Sequence, residues 1–179
     1  MKKREFFQAI ASKGLWRAIA LLWVAAIVGL FPPPVLAQAT KYYPPPLSYS
    51  HAQLSGQDFS GKQLYSAEFA NANLEFANFS DADAQGAIFS AANLIGVNFH
   101  GANLTNAMLD QADLTEADLG DAVLVETILL GSLFEDTQIE GADFSDALLD
   151  GAQLRQLCAI ASGVNSQTGV ETRYSLGCR

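Results

Sequence analysis

Histidine and cysteine are scarce in this 179-residue sequence. The two histidines, His51 and His100, are far along the chain from the two cysteines, Cys158 and Cys178. There is no C-x-x-C pair, no phosphate-binding loop and no zinc-ligand spacing. Serine and threonine are common, but no pattern places a histidine beside them as a catalytic base would require. The sequence therefore predicts a protein that is not an enzyme and that holds no metal or other cofactor.

Basic residues are also few, with 10 lysines and arginines against 19 acidic residues and a net charge of −9. Residues 1–39 contain five of the basic residues and one of the acidic ones, so the remainder carries 5 − 18 = −13. A strong negative charge argues against nucleic acid or an anionic membrane as a partner. Most of the acidic side chains are expected to be solubilising surface charge.

A long apolar run is missing as well. The longest candidate, 18–31, has 14 residues, which is short for a membrane span of about 20. It follows a basic start and precedes two possible cleavage sites, Val35-Leu36-Ala37 and Ala37-Gln38-Ala39. We therefore predict that residues 1–39 are a cleaved export signal, after whose removal no stable membrane insertion remains. A retained anchor is the alternative. The export route stays open, because Lys3-Arg4 only partly matches a twin-arginine pair.

The sequence has instead an uninterrupted repeat. From Leu54 to Leu154 every fifth residue is Leu, Phe or Ile, with Ala84 as the single exception. In 15 of these 21 units, Ala lies two positions before this apolar centre. Helices and continuous strands repeat their faces every 3.6 and 2 residues, roughly, so neither keeps a spacing of five on one face. A short extended piece followed by a turn, repeated, does so. The sequence therefore predicts an all-β solenoid whose interior holds the centres and the alanines.

Turn residues and aromatic spacing refine this prediction. Gly, Asn, Asp or Glu occupies most of the expected turn positions. The glycines among them are Gly56, Gly61, Gly86, Gly96, Gly101, Gly131, Gly141 and Gly151. Between Phe59 and Phe99, Phe recurs at every second centre, which stacks Phe on Phe only if each coil has an even number of sides. Four sides fit, and the units then form about five coils.

Units such as Ala72-Asn73-Leu74 and Ala112-Asp113-Leu114 resemble the A(D/N)LxX units of pentapeptide repeat proteins. The resemblance covers residues 52–156 and implies a right-handed, four-sided β-helix. Gln57 and Lys62 stand where Ala is usual, which predicts a frayed or capped first coil. Together with the leader and the cysteine-containing tail, the chain resembles the exported members of cyanobacteria and chloroplasts. That resemblance implies the thylakoid lumen or the periplasm.

The segments outside the repeats have distinct compositions. Residues 40–51 are predicted to be a Pro-rich extended arm, and residues 157–179 a helical cap stapled by Cys158 and Cys178. An oxidising compartment favours that disulfide, with a redox role as the alternative. The first cap helix should run through Leu157 to near Gly163. The second should begin with a capping box formed by Thr168 and Glu171.

Apolar residues in outward positions are the candidate functional feature. Four of them precede a centre at intervals of twenty residues: Ile88, Met108, Ile128 and Leu148. We call these four residues the apolar stripe. Leu130 lies just beyond the centre on the same face, and Val123 and Val125 lie on the preceding face. An exposed stripe of this height indicates docking of a protein partner or a second copy. The alternative is that the tail or the arm covers it.

Asparagine and aspartate ladders are the only other regular outward feature. Asn73, Asn93 and Asp113 should stack on one face, and Asn78, Asn98 and Asp118 on the next. They could bind a cation, but Asx side chains more often bond the backbone of turns.

The predicted function is a non-enzymatic protein-binding or scaffold module in the lumen or periplasm. Its partner is expected to be a protein, which can be a second copy of the chain, and not a nucleic acid. The alternatives are an acidic DNA mimic that regulates a DNA-binding protein, and an unrecognised metal-binding or enzymatic role. The acidic charge fits a DNA mimic, but the export signal does not.

Overall fold

The computed structural model describes residues 46–178. The predicted export signal and residues 40–45 of the arm therefore lie outside the described residues. From Ser48 to Leu148 the chain forms a solenoid whose parallel β-bridges join residues twenty apart. Twenty residues are four units of five, so each coil has four sides. Neither helix in the described part is long and apolar enough to cross a membrane.

The bridges form four outward ladders, one on each side. Side 1 carries Ser48, Glu68, Ile88, Met108, Ile128 and Leu148. Side 2 carries Gln53, Asn73, Asn93, Asp113 and Leu133. Side 3 carries Asp58, Asn78, Asn98, Asp118 and Gln138. Side 4 carries Gln63, Asp83, Asn103, Val123 and Asp143.

A left-handed residue at every corner lets the chain turn after each short extended piece. Every fifth residue from His51 to Asp146 has a positive φ. Seven of the predicted turn glycines are among them. Phe76 is the least expected member, at φ 56°, because aromatic side chains rarely adopt this conformation. Its ring covers Gly96, where an added Cβ would approach the ring to 2.4 Å. Gly96 therefore provides the space that accommodates Phe76.

Two stacks of aromatic rings fill the N-terminal half of the interior. Tyr49, Phe69 and Phe89 stack under side 1 with centroid separations of 5.0 and 4.9 Å. Phe59 and Phe79 stack under side 3 at 4.7 Å, and Phe99 follows at 5.1 Å. The two stacks meet edge to face, as between Phe79 and Phe89 at 5.6 Å. These geometries are the preferred ones for aromatic pairs, and they confirm the prediction that Phe stacks on Phe.

The solenoid begins earlier than predicted. Ser48 already bridges Glu68, and Tyr49 lies in the register of the centres. Residues 48–51 therefore belong to the first coil rather than to the arm. The sequence pattern missed this unit because Leu47, two positions before Tyr49, is not small. Lys62 caps the same coil: its Nζ lies 5.1 Å from the centroid of the Phe59 ring and donates to the carbonyl oxygen of Asp58 at 2.7 Å.

The solenoid also ends one unit earlier than predicted. Residues 152–154 lie in the first described helix, α1 (Gly151–Ile160). The Asp150 carboxylate accepts hydrogen bonds from the amides of Ala152 and Gln153, at 2.7 and 2.9 Å. The Gln153 side chain accepts one from the Asp150 amide at 2.8 Å. This capping box starts a helix and overrides the five-residue register, so Gly151 is helical rather than a corner.

The tail after α1 differs from its prediction in detail. The second helix, α2 (Thr172–Ser175), has Glu171 as its N-cap and lacks a side-chain capping bond. The predicted capping box of Thr168 and Glu171 is therefore wrong. Instead, the Asn165 side chain accepts from the amides of Gln167 and Thr168, both at 2.9 Å, and makes this segment a turn. Cys158 in α1 and Cys178 after α2 form a disulfide.

Candidate functional site

The ladder geometry aligns the four residues of the apolar stripe on side 1. The Met108 amide donates to the carbonyl oxygen of Ala87 at 2.9 Å, and the Ile128 amide donates to that of Ala107 at 3.0 Å. The Leu148 amide continues the series with the carbonyl of Thr127 at 2.8 Å. Backbone hydrogen bonds between coils thus hold the side chains in one row, with a rise of about 4.8 Å per coil.

The stripe is open to solvent over much of its height. Met108 is 37% exposed and Leu148 53%, whereas Ile88 and Ile128 are half-buried. Leu130, at 46% exposed, lies two residues after Ile128 on the same side. Polar residues precede these side chains on the same ladder, at Ser48 and Glu68. The apolar character is therefore confined to the later coils.

Leu133 extends this surface onto side 2, and the sequence analysis missed it. Its side chain is 57% exposed. It bridges Asp113 and so occupies the outward position that holds Asn or Asp in the two coils before it. The same twenty-residue comparison that found the stripe would have identified it. Leu130 and Leu133 lie on either side of the corner at Gly131, so the exposed apolar surface is broadest in the last full coil.

Val123 does not contribute to this surface. It occupies an outward position on side 4, but only 7% of it is exposed. The tail lies against the adjacent corner, where the Asn165 side chain donates to the carbonyl oxygens of Asp121 and Ala122 at 3.0 and 3.2 Å. The expectation of an exposed Val123 beside the stripe is therefore wrong, whereas Val125 is half-buried.

After α1, the tail bonds the coils at the corner between sides 3 and 4 and also on side 4, where Ser175 Oγ accepts from the Phe144 amide at 3.0 Å. The Ser166 amide donates to the Asp121 carboxylate at 3.1 Å, and the Gln167 side chain donates to the carbonyl of Gly101 at 2.8 Å. The tail can approach this corner closely because Gly163 lies against Gly141. A Cβ added at Gly163 would lie 2.7 Å from the Gly141 nitrogen. Within residues 46–178, no hydrogen bond joins the segment after α1 to the side 1 ladder.

The outward side chains of sides 2 and 3 bond to the chain's own backbone and to each other. The Asn93 Oδ1 accepts from the amide of Ile95 at 3.2 Å, and its Nδ2 donates to Asn73 Oδ1 at 3.2 Å. On side 3, Asn98 accepts from the His100 amide at 2.9 Å. These are Asx turns linked from coil to coil, which accounts for the ladders without a bound cation.

Asp58 starts the side 3 ladder and is the clearest electrostatic feature there. Its carboxylate accepts hydrogen bonds from the Ser60 amide at 3.0 Å and from Asn78 Nδ2 at 3.2 Å. The Ser60 backbone bond, followed by its hydroxyl and the nearby Lys62 charge, lowers the pKa of the Asp58 carboxyl. A hydrogen bond to the ionised form favours that form.

His100 and Asp118 approach each other on side 3, with Nδ1 and Oδ2 3.6 Å apart. His100 lies over Gly120, where an added Cβ would be 2.8 Å from its Nδ1. Among residues 46–178, no three His, Cys, Asp or Glu side chains are grouped as a metal ion would need. The pair is therefore a surface contact between neighbouring coils.

Comparisons with known proteins agree with this architecture. Eight copies of the family model described as pentapeptide repeats match residues 50–83, 85–121 and 117–156. A solved pentapeptide repeat protein from the thylakoid lumen of Arabidopsis thaliana is 40% identical, with a TM-score of 0.70. That alignment covers 71% of this chain and 89% of the Arabidopsis chain.

More distant structures have similar repeats. A plasmid-mediated fluoroquinolone resistance protein is 23% identical over 56% of this chain and 59% of its own, with a TM-score of 0.36. A protein involved in heterocyst differentiation regulation in the cyanobacterium Nostoc is 20% identical over 58% and 62%, with a TM-score of 0.27. No protein of curated function matches significantly. The family match and the Arabidopsis structure together show that the chain belongs to the pentapeptide repeat family.

Proposed function

We propose that this protein is a non-enzymatic protein-binding module of the thylakoid lumen or the periplasm, and that the apolar stripe is its binding surface. The observation that supports this most strongly is the chemistry of the outward ladders. Three of them carry mainly polar side chains, whereas side 1 carries Ile88, Met108, Ile128 and Leu148 in successive coils. Outward positions have no packing role inside the solenoid, so a run of apolar residues there needs another explanation.

Rigidity makes such a surface suitable for recognition. The four side chains span about 14 Å at the spacing of parallel strands, and backbone bonds between coils hold that spacing. A partner therefore meets a pre-ordered row and loses little binding free energy to ordering the surface. Leu130 and Leu133 widen the row at one end, where we place the centre of the contact. The occupant that we propose is a partner protein with a complementary apolar surface.

Export is supported by three independent features. Residues 1–39 have the composition of a cleavable signal, Cys158 and Cys178 are paired, and a thylakoid-lumen protein is 40% identical. Disulfides persist mainly in oxidising compartments. We therefore place the protein outside the reducing cytosol or stroma.

We also propose that α1, α2 and their disulfide are a cap on a solenoid of about five coils. The Gln153 side chain donates to the carbonyl oxygens of Leu129 and Ser132, at 2.7 and 2.8 Å. Ser175 Oγ accepts from the Phe144 amide at 3.0 Å. The Ser132 carbonyl and the Phe144 amide are backbone groups that the next coil would otherwise pair, whereas the Leu129 carbonyl already accepts from the Ser132 amide at 3.1 Å. Covered edges prevent end-to-end stacking of chains.

Affinity purification from lumenal and periplasmic extracts tests the binding proposal. The protein is compared with a Met108→Lys/Ile128→Lys variant, which puts two charges into the stripe. We expect at least one protein that the unaltered chain captures to be lost from this variant, because burying an unpaired charge is costly. The oligomeric state of both is measured by light scattering.

The matched control is Asn78→Lys/Asn98→Lys, which alters the equivalent positions on side 3, opposite the stripe, and makes the same change in net charge. It should retain the captured proteins. Capture profiles that are the same in all three samples, with the fold intact by circular dichroism, contradict the proposal. Loss of a dimer in the stripe variant alone would identify a second copy, rather than a different protein, as the occupant.

A further inference from the structure

A cleft separates the last coil from α1 on side 3. Its volume is about 500 Å³, and its lining includes Asp136, Thr137, Ile139, Glu140 and Ile160. Here α1 lies to one side of the cleft. The main chain bonds the backbone of this side again at Ser162, whose carbonyl accepts from the Gly141 amide at 2.8 Å. The cleft is thus the place where another coil would continue if the repeat did not end.

The preceding coil shows which backbone groups a following strand pairs. The Leu119 amide donates to the carbonyl of Gln138 at 2.8 Å. The Gln138 amide donates back to the carbonyl of Ala117 at 2.9 Å. One outward residue, Gln138, therefore uses its carbonyl and its amide to bond the equivalent unit of the coil before it. The same pattern recurs along all four sides.

In the last coil the corresponding groups lack partners. The amides of Asp136 and Ile139 and the carbonyl of Thr137 make no hydrogen bond to any of residues 46–178. They are separated by the same intervals as the paired groups of the coil before. An edge with this pattern is a template for an added strand. A single extended residue could accept from the Ile139 amide and donate to the Thr137 carbonyl, and the carbonyl three residues earlier could accept from Asp136.

We propose that this edge binds an extended, basic peptide segment of a partner by strand addition. Asp136 and Glu140 are exposed and lie at the two ends of the unpaired edge. Among residues 46–178, no basic side chain lines the cleft. Ile160 is 49% exposed and offers an apolar wall for the alkyl stem of a lysine or arginine. The unpaired backbone groups favour a peptide in an extended conformation, and the two carboxylates favour a positively charged peptide.

The site is separate from the apolar stripe, which lies on side 1, so either proposal can fail without the other. The probe is a fluorescein-labelled Lys-Ala-Lys-Ala-Lys peptide, followed by fluorescence anisotropy and by amide NMR shifts of the protein. We expect the Asp136 and Ile139 amide signals to move. Methylating the backbone nitrogen of the last lysine, the only lysine of the peptide with a carbonyl three residues before it, removes the donor to Thr137 and should weaken binding about fivefold.

Two charge-reversal variants complete the test. Asp136→Lys/Glu140→Lys should weaken binding by about tenfold or more, since it replaces attraction by repulsion. Glu126→Lys/Asp146→Lys makes the same net change at exposed corners between sides 4 and 1 and should have little effect. Equal losses in the two variants would indicate attraction to net charge alone and overturn the proposal. So would an N-methylated peptide that binds equally well, or no binding to the unaltered protein.

Discussion

Side 1 and sides 2 and 3 share one backbone and one kind of interior, and they differ in what their outward positions do. On sides 2 and 3, side chains such as Asn93 and Asn98 accept hydrogen bonds from turn amides of their own chain. On side 1, the side chains of Met108 and Ile128 carry no amide or carboxylate oxygen that could accept such a bond from a turn amide. The polar ladders form hydrogen bonds within the solenoid, whereas the apolar ladder forms none through its side chains, which is why we propose it for a contact outside the chain.

The comparison separates two properties of a repeat protein that can vary independently, its shape and the chemistry of its surface. Inward centres and corner conformations set the shape, and they are the same on every side. Outward positions carry the differences between sides. A side whose outward residues do not support the fold can change its chemistry without affecting stability, which is the condition for a recognition surface.

Core truncation should affect both sides equally and has the largest expected effect. Phe89 lies under side 1 and Phe79 under side 3, and both are fully buried. Phe89→Ala and Phe79→Ala should each lower the free energy of unfolding by about 3–5 kcal/mol, because each removes a buried ring and leaves a cavity. Urea unfolding measures this. A much smaller loss for one of the two would show that the interiors of the sides differ.

Removing the disulfide is expected to be the next largest change. Cys158→Ser/Cys178→Ser should lower the free energy of unfolding by about 3 kcal/mol in the chain-entropy account. After α1, the tail bonds the coils on side 4 and at its corner with side 3, so binding at side 1 should not change. Thermal unfolding gives the stability, and affinity capture gives the binding. A change in the captured proteins would indicate that the tail also contributes to the stripe.

Exchanging outward residues compares the sides directly. Asn93→Ala should cost about 1 kcal/mol, because the Ile95 amide and the Asn73 side chain each lose a partner. Met108→Ala, at the outward position of the neighbouring side, should cost less than about 1 kcal/mol. The difference can be measured by paired urea titrations. A larger loss at Met108 would mean that the stripe supports the fold after all.

The smallest predicted effect concerns the start of side 3. The pKa of Asp58 is lowered in the folded state, so its ionised form stabilises the fold. This contribution is present above the ordinary aspartate pKa and is lost as the pH falls through the lower, folded-state value. Asp58→Asn should therefore lower the melting temperature slightly at pH 7. The two proteins should converge in strong acid, and a difference that grows in acid would contradict the assignment.

The repeat itself was predictable from the sequence, because each unit repeats the same centre and the same corner. The ends were harder to predict. The residue two positions before Tyr49 is Leu47 rather than a small residue, so the place of Tyr49 in the first coil was not recognised. At the other end, Ala152 and Leu154 keep the repeat register, but the capping box between Asp150 and Gln153 starts a helix instead. Local hydrogen bonding decided the outcome there.

The candidate surface was only partly predictable. The twenty-residue spacing placed Ile88, Met108, Ile128 and Leu148 on one side, because ladder position depends only on register. Whether an outward residue is exposed depends also on the tail, whose path cannot be read from the repeat. Val123 is buried for this reason, although it occupies the same type of position as Ile128. Leu133 was missed although the spacing contained the signal.

Photo-crosslinking tests the central claim most directly. A photo-reactive amino acid is placed either at Ile128 on side 1 or at Asn78 on side 3, and the protein is irradiated in lumenal or periplasmic extract. The account predicts a discrete protein crosslink from position 128 and none from position 78. A matching set of crosslinks from the two positions, or none from position 128 while the fold is intact, would contradict the assignment of the apolar stripe as the binding surface.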